Sequence, residues 1–463
     1  MRNRQHLVVW ILAAGMLCVT AVAGTSLSGE DQPAGKEFLL IRAEWTFDGL
    51  GSEVEKGICI LCEGDRIKAI GPEIKAPAGA RILEGEGLCV MPGLIDAHVR
   101  LLDGFLVSPV YLFPAFGVTT VCDFENSVLC AEGLNDTIAS GQITGPGLVY
   151  SGESLTKSVK PMMFQIPVVS PEETRTAVRK LADHGAGLLV LSSGLEPAAA
   201  RVAIEEAAAR GMKIAADLLE SREIDASSAL EMNIDRLERM GGIPQAIRVD
   251  RENTTPLDRS ALFDWLEQDP EKQKTLIKEI VRKGVFLVPS LVAFEKMSLY
   301  PNQVLSEENL DPSITQGTLD YWTQVWDGFA ATPWWPAACR LHFEYSRRFI
   351  KEAVEAGAMI AAGSATPTPG VLPGLGLHRE LELLVQAGLS EPQAIKAATA
   401  WAAQCIGKES LIGTLESGKR ADLLIVEGNP LDDIRKTRNI RWVILGGKIV
   451  KREEIPGLNP IKK

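Results

Sequence analysis

From about residue 91 the chain repeats one rhythm eight times: a short apolar run, then a stretch with helical spacing. The runs lie in "IDAH", "GVTTVCDF", "PGLVYSG", "GAGLLVLSSG", "KIAADL", "IDRLERM", "GVFLVPSLV" and "AMIAAGS". Runs this apolar suit strands buried on both faces, and strands alternating with helices form parallel sheets. Eight such units predict an α/β fold, a closed (β/α)8 TIM barrel over 91–411, in preference to an open doubly wound sheet. The helices carry start signals of their own. Ser170-Pro171-Glu172-Glu173 reads as a capping box with proline in the first turn, opening a helix that ends at Gly185.

Residues 37–90 and 412–452 have a different texture, short alternating strands broken by turns, as in "ICILCEGDRIKAIG" and "ADLLIVEGNPLDDI". Each half offers too few strands to enclose a core. The expectation is one small discontinuous composite β-sandwich domain with the barrel inserted in it. Between the seventh and eighth strands, residues 296–345 form an irregular insert rich in proline and aromatics, including Trp322, Trp326, Trp334 and Trp335. A stretch this long is either a functional lid or a surface excursion that buries its own tryptophans.

The N-terminus reads as a signal peptide over residues 1–23. Arg2 and Arg4 precede an apolar run from Leu7 to Val19, followed by Ala21-Val22-Ala23. The run is shorter than the roughly 20 residues of a membrane span, so an exported protein, periplasmic or extracellular, is expected in preference to an anchored one. No second long apolar run occurs, so no membrane span is expected after cleavage. The 48 Lys and Arg against 60 Asp and Glu give −12, and loss of Arg2 and Arg4 takes the charge to −14. Nucleic acid is a poor partner for such a chain. A homo-oligomer is compatible with the sequence.

Seven cysteines remain after cleavage (Cys59, Cys62, Cys89, Cys122, Cys130, Cys339 and Cys405), without the spacing of a disulfide framework. Cys59 and Cys62 sit in a strand, where residues three apart face opposite ways, so they read as core residues and not a redox pair.

"MPGLIDAH", "GVTTVCDF", "IASGQITGPGLVYSG", "LHRELELLVQAGLSEPQAIKAATAWAA" and "IGTLESGKRADLLIVEGNPLDDI" together resemble the amidohydrolase superfamily, in its imidazolonepropionase-like and prolidase-like branch. The resemblance covers almost the whole mature chain. It implies a barrel hydrolase that acts on carbon–nitrogen bonds at one or two divalent cations. The family's ligands are an H-x-H pair on strand one, a carboxylated Lys on strand four, a His on each of strands five and six, and an Asp on strand eight.

Set on that pattern, this sequence keeps His98. Arg100 replaces the second His, Val190 the Lys, Asp217 and Arg239 the two later His, and Ala365 the Asp. No change of register restores the set, because no His occurs between His184 and His342. His184 falls at a helix end, His342 in the insert, and His378 at a helix entry where packing or capping is expected. One His and one Asp make a weak site for a transition metal. The sequence therefore predicts a degenerate member, non-catalytic and without a metal cofactor. The alternative is a metal-dependent hydrolase of carbon–nitrogen bonds with an unorthodox site.

Two guanidiniums near one carboxylate also suggest a positive surplus. His98, Arg100, Asp217 and Arg239 could then bind a small anionic ligand in the old pocket. A salt-bridge plug that binds nothing is the other reading of the same residues.

Overall fold

The computed structural model describes residues 37–455, apart from 104–105, 108, 159–162, 193, 220, 250–259, 300–303, 305–313 and 331. The signal peptide of residues 1–23 lies outside the described residues.

Seven barrel strands run Leu94–Val99, Val118–Asp123, Gly147–Tyr150, Leu188–Ser192, Lys213–Asp217, Arg236–Glu238 and Phe286–Val288. Strands one to three pair in parallel, as do strands four to seven. Gly187 N–H donates to Tyr150 O (3.0 Å), joining strand three to strand four. Residues 359–365 act as the eighth strand. Ala361 N–H reaches Leu287 O (2.9 Å) on one side, while Ala97 N–H reaches Ala362 O (2.8 Å) on the other. These bonds close the barrel.

Alternation sets its two faces. Leu188 and Val190 pack with Ile95, Ala97, Cys122, Val149, Ala215, Phe286, Val288 and Ala361, a set drawn from nearly every strand, which is the barrel interior. Leu189 and Leu191 face the surrounding helices, packing in the same cluster as Val178, Leu181, Ala203 and Ile204. One of these helices, Pro171–Asp183, starts as the sequence indicates, with Ser170 Oγ accepting from Glu173 N–H. Glu173 returns its side chain to Val169 N–H (3.0 Å), one residue before the cap.

The flanking segments build one hydrogen-bonded sheet. Arg81–Pro92 is its central strand, pairing in parallel with Phe38–Thr46 and antiparallel with Leu423–Glu427. The sheet folds over on itself where Ile67 N–H meets Lys419 O and Ala421 N–H meets Asp65 O. Ile41, Ile60, Cys62, Ile67, Val90, Leu423 and Ile444 fill the enclosed core. Cys59 packs in a separate cluster with Leu40 and Leu61, so the two cysteines do face opposite ways.

Among its described residues the insert is largely helical, not irregular. It contains the helices Gln316–Ala330 and Trp335–Glu355, preceded by Leu291–Leu299. Its prolines misled: Pro336 occupies the first turn of a helix, where the missing N–H costs nothing. Trp322 is buried beside Val304 and Leu372, while Trp334 stays 39% exposed.

Candidate functional site at the barrel mouth

The C-terminal strand ends bring His98, Arg100, Asp217 and Arg239 together with three residues the sequence reading did not single out, Glu125, Arg236 and Glu238. His98 closes strand one, fully buried, its ring stacked on Phe124 at 4.2 Å between centroids. Its Nδ1 lies 2.7 Å from Glu238 Oε2. A carboxylate only accepts, so Nδ1 carries the proton and donates. Burial holds the ring toward its neutral form, against the pull of Glu238.

Glu238 is shared. Its other oxygen takes the guanidinium of Arg236, which also donates to Ala97 O (2.6 Å) and lies over the Phe124 ring. Arg236 and Glu238 are two apart on strand six, so they share a face, and both are completely buried. That spacing was the available signal in "IDRLERM".

Arg239 follows directly and turns differently, with a left-handed backbone (φ 50°). Its Nε and Nη2 fork onto Asp217, with Nη2 to Oδ2 at 2.6 Å. Arg100 Nη2 lies 2.6 Å from Glu125 Oε2 and 3.6 Å from Asp217 Oδ2. Burial alone would raise Asp217, but Arg239 and Arg100 outweigh it and hold the carboxyl below its usual range.

Arg100, Arg239 and Arg236 each meet a carboxylate, Glu125, Asp217 and Glu238 respectively, so acids beyond Asp217 answer the guanidiniums. Glu125 escaped the sequence reading because only the folded turn after strand two brings it to Arg100.

Val190 is a buried member of the apolar interior and pairs with Ala215. Ala365 is left-handed (φ 51°) and donates its N–H to His98 O. His184 caps a helix end, 3.0 Å from Glu132. His378 is buried between Phe116 O and Thr437 Oγ1. His342 is also buried, and its Nε2 reaches Arg239 O.

This donor set does not suit a divalent cation. His98 spends Nδ1 on Glu238, both Asp217 oxygens accept from Arg239, and a dication beside Asp217 would meet the Arg100 guanidinium as well. Among the described residues no group of three His, Cys, Asp or Glu is placed to hold a metal ion.

Strain concentrates here. Glu125, Arg239, Met240, Ser290 and Ala365, all at or just past the ends of barrel strands, are non-glycine residues with φ between 50° and 57°. Such outliers persist where the surrounding structure fixes them, and they cluster at functional sites.

A closed parallel barrel with ionisable side chains at its C-terminal mouth, flanked by a sheet built from both ends of the chain, is the architecture of the amidohydrolase-type hydrolases. The chain belongs to the amidohydrolase family, whose model matches residues 89–450. Among curated proteins it is similar to an ochratoxinase of Aspergillus niger, 38% identical over 113 residues, covering 23% of this chain and 22% of that one. It is also similar to a dihydroorotase of Geobacter sulfurreducens, 46% identical over 165 residues, covering 30% and 38% respectively. The alignments thus span well under half of these relatives. Among solved structures, a Xaa-Pro dipeptidase with bound methionine superimposes with a TM-score of 0.67 at 20% identity, covering 89% of this chain and all of that one. That likeness concerns the fold.

Proposed function

We propose that this chain is an exported amidohydrolase-family protein that has given up metal-dependent hydrolysis, its strand ends joined by ion pairs in place of a metal centre. The observation that carries the reading is the Arg239 fork on Asp217, with the Arg100 guanidinium 3.6 Å from the same carboxylate. Guanidiniums stay charged at any working pH, so they repel a metal cation where imidazoles would ligate one. Ala365 also leaves strand eight without a carboxylate to move the proton of an attacking water.

Elemental analysis of protein purified without chelator, before and after incubation with zinc and manganese, tests this. Metal well below one equivalent is expected. Near one equivalent, lost on His98→Ala, would establish the rival reading, a carbon–nitrogen hydrolase with an unorthodox site. Export is tested by the N-terminal sequence of the mature protein, expected to begin close to Gly24.

A second reading has its own support. Arg239 commits Nε and Nη2 to Asp217, Nη1 has no partner among the described residues, and the side chain is 22% exposed. A small carboxylate or phosphate can reach that edge. Thermal-shift screening of such anions against wild type and an Arg100→Ala, Arg239→Ala double variant decides it: stabilisation of the wild type alone supports an anion site, and equal responses leave the plugged mouth.

A further inference from the structure

The insert supplies a buried histidine for which the mouth chemistry has no use. His342, on the helix Trp335–Glu355, is completely buried against Phe294, with 4.2 Å between ring centroids. Trp265 Nε1–H donates to its Nδ1 at 2.8 Å, and its Nε2 lies 2.9 Å from Arg239 O. The indole can only donate, so Nδ1 is the acceptor and Nε2 carries the proton that reaches the carbonyl. Both ring nitrogens are thereby satisfied by a neutral imidazole.

The carbonyl it holds belongs to the strained residue. Arg239 N–H is fixed to Val288 O (2.7 Å) on strand seven, and Met240 beyond it is also left-handed (φ 57°) and buried. An arginine gains nothing from this conformation by itself, since a side chain makes it costly. It must be held from both ends, by Val288 on the amide and His342 on the carbonyl. What the turn achieves is the direction of the side chain: Arg236 and Glu238 follow the strand's alternation, while Arg239 is swung onto Asp217 of strand five.

We infer that His342 is a positioning residue, a latch through which the insert holds the Arg239 guanidinium on Asp217. The inference rests on the reading of the mouth as an ion-paired replacement for a metal centre. It gives the insert a task other than that of a lid.

Phenylglyoxal modifies accessible guanidiniums, and peptide mapping resolves its rate at each arginine. The test compares wild type, His342→Phe, which keeps the ring and loses the donor, and His342→Gln, whose amide can both accept from Trp265 and donate to Arg239 O. Modification of Arg239 is expected to quicken about tenfold in His342→Phe, the scale of one lost buried hydrogen bond. The exposed Arg441 should be unchanged, and His342→Gln should retain the wild-type rate. An unchanged Arg239 rate in His342→Phe, equal acceleration at every arginine, or the same acceleration in His342→Gln would each overturn the latch. If His342→Phe does not fold, Trp265→Phe removes the bond that orients the imidazole, and the same selective acceleration is required of it. Metal analysis of the same wild-type sample tests the underlying reading separately, so failure of either is recognisable on its own.

Discussion

Asp96 offers the most quantitative perturbation. It lies on strand one, completely buried, with Oδ1 accepting from Ser364 N–H (2.8 Å) and His98 N–H (3.3 Å). Oδ2 has no hydrogen-bond partner among the described residues. Burial pushes its carboxyl from the ordinary 3.8 to about 7, opposed only in part by the bonds to Ser364 and His98. The folded state therefore keeps this proton to near neutrality, whereas the unfolded chain releases it near 4. Between those values the folded state binds more protons, so stability from this group is complete below about pH 4 and is lost as pH rises to about 7. The span corresponds to ~4 kcal/mol, at 1.36 kcal/mol per tenfold change. Asp96→Asn retains the Oδ1 acceptor and the shape but cannot titrate. Urea unfolding of both proteins from about pH 4.5 to about pH 8 should show the wild type losing stability relative to Asp96→Asn by up to ~4 kcal/mol, with the groups that do not interact with Asp96 cancelling in the difference. Parallel curves would refute the reasoning. Glu380 strengthens the expectation: burial raises its carboxyl to about 8, and the Asp96 charge adds to that rise.

Two further outcomes follow from buried groups. Arg236→Met, which keeps bulk but leaves Glu238 with only His98, should destabilise by about 3–5 kcal/mol in chemical unfolding, because it takes a cation from a buried carboxylate; a loss within the scatter of surface substitutions would refute this. Alkylation of the native protein with iodoacetamide should label the exposed Cys130 and spare Cys122 and Cys405, whose thiols burial raises to about 12; labelling of either buried cysteine at the rate of Cys130 would overturn this.

The barrel was legible because its strands are buried on both faces and so appear as unbroken apolar runs, "GLLVLS" and "KIAAD" among them. Residues of the mouth were legible only where a family position pointed to them. Arg100, Asp217 and Arg239 could be named that way, but Glu125 and the Arg236–Glu238 pair could not, since partner choice between strands is set by the closed barrel. The insert was hidden for a different reason. Its prolines and tryptophans carry loop signals locally, and only tertiary packing shows that Pro336 lies in the first turn of a helix and that Trp322 is buried. His342 shares that difficulty: no local pattern indicates that a histidine on one helix will meet a carbonyl at the end of strand six.

The ion pairs of the mouth tie several strand ends to one another. A bound cation ties several strand ends to one point, and here the ion pairs tie a comparable set. His98 joins strand one to strand six through Glu238; Arg100 joins strand one to Glu125 after strand two and to Asp217 on strand five; Arg239 returns from strand six to Asp217. Every carboxylate in the network has a cation, and every guanidinium a carboxylate. Asp217 and Glu238 are each shared by two partners, so removing one partner leaves the buried carboxylate with a single one, at a cost in stability. Exchanging Arg239 alone for histidine would leave Asp217 facing Arg100 and supply an imidazole with no neighbouring ligand at 100, 190 or 365. On the proposed reading, a single substitution at 239 does not by itself assemble a ligand set, because the other positions of the family pattern hold Arg100, Val190 and Ala365.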